Sequence, residues 1–155
     1  MSLRLDAIYQ NMLSKGRTER IAMARKAKTN IENYAKKNGL TKEKAEEFVM
    51  YYFRLFVAAD GVAEASERDL FNTTFGLNLS KIAFDKLIGP YDKTFVEKMA
   101  KVTRKMPKEL QNDVCILGLT ILGVDNQMTL SESKLLQAVI DFDEVSMVEV
   151  LKKNS

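Results

Sequence analysis

Apolar residues recur at helical spacing along almost the whole chain. From Thr18, the residues Ile21, Ala24, Ala27, Ile31 and Tyr34 mark one face of a helix that Asn38-Gly39 should stop. Thr41 is placed to cap a second helix through Phe48, Val49, Met50, Tyr51, Tyr52, Phe53, Leu55, Phe56 and Val57. That helix is apolar on nearly every face, so it belongs in the centre of a bundle. An amphipathic helix is expected from Ser66 to about Phe75, ended by Gly76, and a shorter one from Ser80 to Ile88, closed by Gly89-Pro90. Phe95, Val96, Met99, Val102 and Met106 mark another. Pro107 suits the first turn of the next helix, where its missing N–H costs nothing. That helix carries Leu110, Val114, Leu117, Ile121 and Leu122 and reads as a second central one, with Gly118 permitting close helix contact. Thr129-Leu130-Ser131-Glu132 forms a capping box ahead of Leu135, Leu136, Val139 and Ile140, and Asp143 can cap a last helix through Leu151. No sustained alternation points to a strand.

The pattern repeats. Asp60 closes one long apolar run and precedes Glu67 by seven positions; Asp125 closes another and precedes Glu132 by the same seven. The two copies lie 65 residues apart, which reads as a duplicated helix-turn-helix unit around residues 42–75 and 107–140. Each hairpin leaves apolar surface exposed, and packing one against the other buries it. The expected fold is all-α: a duplicated helix-turn-helix bundle of about seven to nine helices, with residues 1–17 as an N-terminal arm and 18–155 as one domain.

Composition narrows the chemistry. The chain has 155 residues, 46% of them hydrophobic and 29% charged, as in an ordinary globular domain with a real core. No apolar stretch is long enough to span a bilayer, and Arg4 and Asp6 interrupt the start where a signal peptide would lie. The single Cys115, among apolar neighbours, excludes a disulfide framework and favours a cytoplasmic setting. There is no histidine, which removes His-based acid–base catalysis, His-containing triads and imidazole zinc sites. Any metal site must then use oxygen ligands, which suit calcium, magnesium or manganese. No glycine-rich phosphate loop or nucleophile elbow occurs, and enzymatic activity is not expected.

The acidic turns carry the repeated polar chemistry. As helix-end devices, an Asp before a turn and a Glu in the next helix's first turn each contribute roughly 0.5–2 kcal/mol and need no ligand. The alternative is a divalent cation held by Asp60 and Glu67, with Glu64 as a further oxygen donor, and a second held by Asp125 and Glu132. These are not EF-hands, whose bidentate Glu follows the first Asp by eleven positions.

The long apolar helix, Ala59-Asp60-Gly61, the Glu that follows and the second copy resemble the TerB family of tellurite-resistance proteins over about residues 20–140. The N-terminal domain of membrane-anchored DnaJ-like proteins looks similar. Gly16-Arg17 within the basic N-terminal segment also looks TerB-like. The chain departs where Glu64 replaces the usual capping Ser/Thr and Asn126 the second Gly. The resemblance implies a duplicated helical bundle without established catalysis, acidic turn residues (Asp60, Gly61, Glu67, Asp125 and Glu132) suspected of binding metal, and a role in stress-linked, membrane-proximal complexes with protein partners.

The net charge of +3 hides a polarity, because residues 1–44 balance to +7 and the remainder to −4. Arg17, Arg20, Arg25, Lys26, Lys28, Lys36 and Lys37 crowd one helix, opposed by Glu19 and Glu32. A solvated helix face explains this; so does a segment folding against an acidic body, or an anionic partner such as an acidic protein patch, a membrane surface or a nucleic-acid backbone. Tyr34 is the only aromatic in the helix, so base stacking is poorly served and nucleic acid is the weakest of these partners. The sequence thus points to a non-enzymatic interaction or sensor module. A binder of anionic surfaces or nucleic acid acting through the basic helix is the alternative.

Overall fold

A computed structural model describes residues 15–58, 65–90, 92–122, 136, 137 and 139. Six helices and no strand occur among them: α1 (Arg17–Lys37), α2 (Lys42–Val57), α3 (Ala65–Phe75), α4 (Lys81–Ile88), α5 (Lys93–Arg104) and α6 (Lys108–Leu122). The chain is all-α. The second acidic turn, the capping box at Thr129 and the helix expected from Asp143 lie outside the described residues, as do Asp60 and Glu64.

Local chemistry sets the helix ends. Gly39 follows α1 in the left-handed region (φ 98°), and the Thr41 hydroxyl accepts the Lys44 N–H to start α2. Gly76 (φ 66°) ends α3, the Ser80 hydroxyl caps α4 by accepting the Ala83 N–H, and Asp92 caps α5 by accepting from Thr94 and Phe95. Asn72 braces the α3–α4 loop by donating to the Leu79 carbonyl and accepting the Leu79 N–H. Pro107 sits one residue ahead of α6 rather than in its first turn, with its carbonyl accepting the Gln111 N–H.

The centre differs from the one the hydrophobic pattern picks out. Helices α2 and α6 are central as expected: Tyr52, Phe53, Phe56, Leu117 and Leu119 are wholly buried. The most extensive helix pair, however, is α1 with α6, followed by α1 with α2. Met23, Ala24, Ala27, Ile31 and Ala35 form the buried face of α1. Alanines let the backbones come close, so the basic helix lies in the core as a full partner. Around this three-helix centre, α3 packs on α1, α4 and α5 pack on α2, and α5 also meets α6.

Two details lock the packing. The Tyr52 hydroxyl donates to Thr103 Oγ1 at 2.6 Å, and the Thr103 hydroxyl donates to the Met99 carbonyl at 2.7 Å, which satisfies a buried polar chain between α2 and α5. Burial, only partly offset by that bond, pushes the Tyr52 phenol up to about 12. Gly118 meets Phe56 and Leu136 so closely that a Cβ there would stand 2.9 Å from each side chain. Its expected role as a close-contact residue therefore holds. Replacing Gly118 with Ala would improve helix propensity by up to ~1 kcal/mol but overpack a fully buried aromatic, which costs about 1–3 kcal/mol. Gly118→Ala should lower stability in urea unfolding by about 0–2 kcal/mol, the overpacking cost less the helix-propensity gain; a gain would show that Phe56 and Leu136 can move aside.

Candidate functional site

Of the acidic turn residues, Glu67 falls within the described region. It sits in the first turn of α3, buried at 5% exposure, and a carboxylate so placed interacts favourably with the positive end of its helix. At the start of the same helix, a recess of about 110 Å³ is lined by Arg17, Arg20, Ser66, Asp69, Leu70 and Thr120. These side chains come from the start of α1, the start of α3 and the end of α6. Ser66 follows the first acidic turn in sequence and Thr120 precedes the second, so the flanks of both turns meet at one end of the bundle, against the start of the basic helix. Two features that the sequence presents separately are neighbours in space.

The seven basic side chains of α1 divide by environment. Arg17 pairs with Asp69 on α3, both well exposed. The Arg25 guanidinium donates to the Thr73 carbonyl at 2.8 Å, also on α3. Lys28 pairs with Glu32 at 2.9 Å, where both are largely shielded, and its ammonium lies 5.1 Å above the centre of the Phe75 ring. Three of the seven thus hold α1 to α3 or to itself, as a segment folding against its own body would. Arg20 lines the recess and Lys26 lies on the exposed face. Lys36 and Lys37 are exposed in the last turn of α1, where positive charge suits the helix end. The surface pair Arg17–Asp69 contributes about 0–1 kcal/mol, so packing rather than charge fixes α1.

Sequence reasoning missed two further features. Asp113, inside central helix α6, accepts a hydrogen bond from the Asn30 amide at 3.3 Å across the α1–α6 seam. Burial pushes its carboxyl up to about 6, against the pull of the Asn30 bond and of Lys26 and with a further push from Glu109. The signal was available as Gln111-Asn112-Asp113 interrupting the apolar pattern of that helix. The second is a ridge of lysines on α5. Counting charge by chain halves hid it, although residues 93–105 hold five Lys/Arg against one Glu. Among the described residues no cluster of three or more His, Cys, Asp or Glu is assembled, and no helix is long and apolar enough to cross a membrane. Comparison with family models, with characterised proteins and with solved structures finds no match.

Because the carboxyl of Asp113 is raised in the folded state, the native protein binds its proton more tightly than the unfolded chain does between about pH 4 and pH 6. Stability from this group is therefore present below that window and falls as pH rises through it. Asp113→Asn keeps an oxygen for Asn30 and removes the ionisation. The variant should melt above the wild type near neutral pH, with the difference vanishing towards about pH 4. A constant offset at every pH would mean that packing, not ionisation, dominates at this seam.

Proposed function

We propose that this chain is a non-enzymatic interaction or sensor module of the TerB-like type, a duplicated bundle of seven to nine helices whose acidic turns hold a divalent cation weakly. The observation that supports this reading is the convergence of both turn flanks on one recess, with Glu67 buried in the first turn of α3. A ligand bound at either turn would there act on α1, α3 and α6 together, which is what a sensor requires. Asp60, Glu64, Asp125 and Glu132 are the remaining oxygen donors of the proposal, and calcium, magnesium or manganese are the ions such donors suit. Arg17 and Arg20 at the same recess oppose a cation electrostatically, which is consistent with weak binding. A stress-linked, membrane-proximal complex with a protein partner is the setting that the family resemblance supplies. The alternative reading, an anionic partner on the basic helix, is weakened by the engagement of Arg17, Arg25 and Lys28 within the fold.

A cation that binds only the folded state stabilises it by RT ln(1 + [L]/Kd), about 1.4 kcal/mol at ten times Kd. With so few carboxylates, Kd should be on the order of 10⁻⁴–10⁻³ M. Melting followed at millimolar calcium, magnesium and manganese should show a rise of about 3–6 °C with the preferred ion. Asp60→Asn should remove most of it and Asp125→Asn the remainder. Flat melting curves with all three ions would leave the turns as helix-end chemistry and sink the cation reading.

A further inference from the structure

Helix α5 turns one face to Met99 and Thr103 in the core and the other to solvent. At 100° per residue, Thr94, Lys98, Lys101, Val102 and Lys105 fall on one outward stripe less than a third of the way round the helix. Lys98, Lys101 and Lys105 are all exposed, and none pairs with an acidic group among the described residues. They contrast with Lys28 and Arg25 on α1, which the fold already uses. Residues 93–105 carry a net +4 within a stretch, residues 45–155, that sums to −4, so this short segment is basic against an acidic background.

We propose that this outer face of α5 docks the protein on an anionic lipid surface. An apolar side chain among the lysines decides between polyanions. Val102 stands 37% exposed on the ridge itself. A headgroup layer takes up both kinds of side chain: aliphatic groups enter the acyl boundary while lysine stems lie along it with their ammonium groups among the phosphates. A nucleic-acid backbone would use the lysines but gain nothing from Val102. The stripe itself has no Arg, Asn, Gln or exposed aromatic to read or stack on bases; Glu97 and Arg104 border it. The ridge stands apart from the cation reading. None of Lys98, Lys101, Val102 and Lys105 lines the recess.

The test is sedimentation of the full chain with vesicles of equal parts phosphatidylglycerol and phosphatidylcholine, at low salt and with a chelator present. The chelator makes the outcome independent of any cation site. The wild type should co-sediment, and should stay in solution with phosphatidylcholine alone or at high salt. At ~1 kcal/mol per lysine near an anionic surface, Lys98→Gln with Lys101→Gln and Lys105→Gln should weaken partitioning roughly a hundredfold, and Lys101→Gln alone about fivefold. Circular dichroism should show both variants as helical as the wild type. Lys36→Gln with Lys37→Gln, which removes exposed charge from α1, should change partitioning little. A wild type that stays in solution overturns the proposal, and so does equal binding to neutral vesicles. Equal loss from the Lys36 and Lys37 changes would do the same, as would tighter binding of duplex DNA through the same lysines.

Discussion

The close approach of α1 to α6 is the constraint from which the other placements follow. Ala24, Ala27 and Ala35 present almost no side chain to the seam, and Met23 and Ile31 fill what space is left. A helix that carries seven Lys/Arg can occupy a core position only if every charge leaves by the remaining face or finds a partner at the edge. That requirement puts Arg17, Arg25 and Lys28 against α3, where an Asp side chain, a backbone carbonyl and an aromatic face receive them. It also brings Asn30 opposite Asp113, so a polar pair sits within the seam and its protonation is coupled to how tightly the helices close.

Helix boundaries were legible in the sequence because they depend on few residues. Thr41 and Ser80 cap through their own hydroxyls, and Gly39, Gly76 and Gly89 supply the left-handed residue after a helix. Which helices meet was harder to read. The large apolar residues of α2 and α6 announce burial, whereas alanine is common on both covered and exposed faces, so the central place of α1 is not announced by its sequence. The charge of α1 conceals it further, since a basic segment reads as solvated until its partners are known. The recess at Arg17, Arg20, Ser66 and Thr120 was illegible for a related reason. It is assembled from three chain segments with no shared sequence pattern.

Charge is used in two ways in this molecule, and the difference is one of supply. On α1, Arg17, Arg25 and Lys28 face acceptors from α3 or from the same helix. On α5 the Tyr52–Thr103–Met99 chain and Met99 itself occupy the inward face, and among the described residues Lys98, Lys101 and Lys105 form no ion pair on the outward one. Arg54 illustrates the boundary between these uses: its guanidinium lies 4.6 Å over the Phe95 ring, where α2 and α5 meet beside the exposed Tyr51. Arg17, Arg25 and Lys28 are thus satisfied by the fold, whereas Lys98, Lys101 and Lys105 face solvent.

Cys115 occupies the middle of α6, fully enclosed, and burial alone holds its thiol far above the ordinary range. A thiolate is the reactive form, so this sulfur is chemically silent while the helices are closed. With no other cysteine in the chain, every molecule carries a single built-in clock for the opening of its own centre. The rate at which a thiol reagent consumes it reports how often α6 parts from its neighbours under native conditions, without label or mutation.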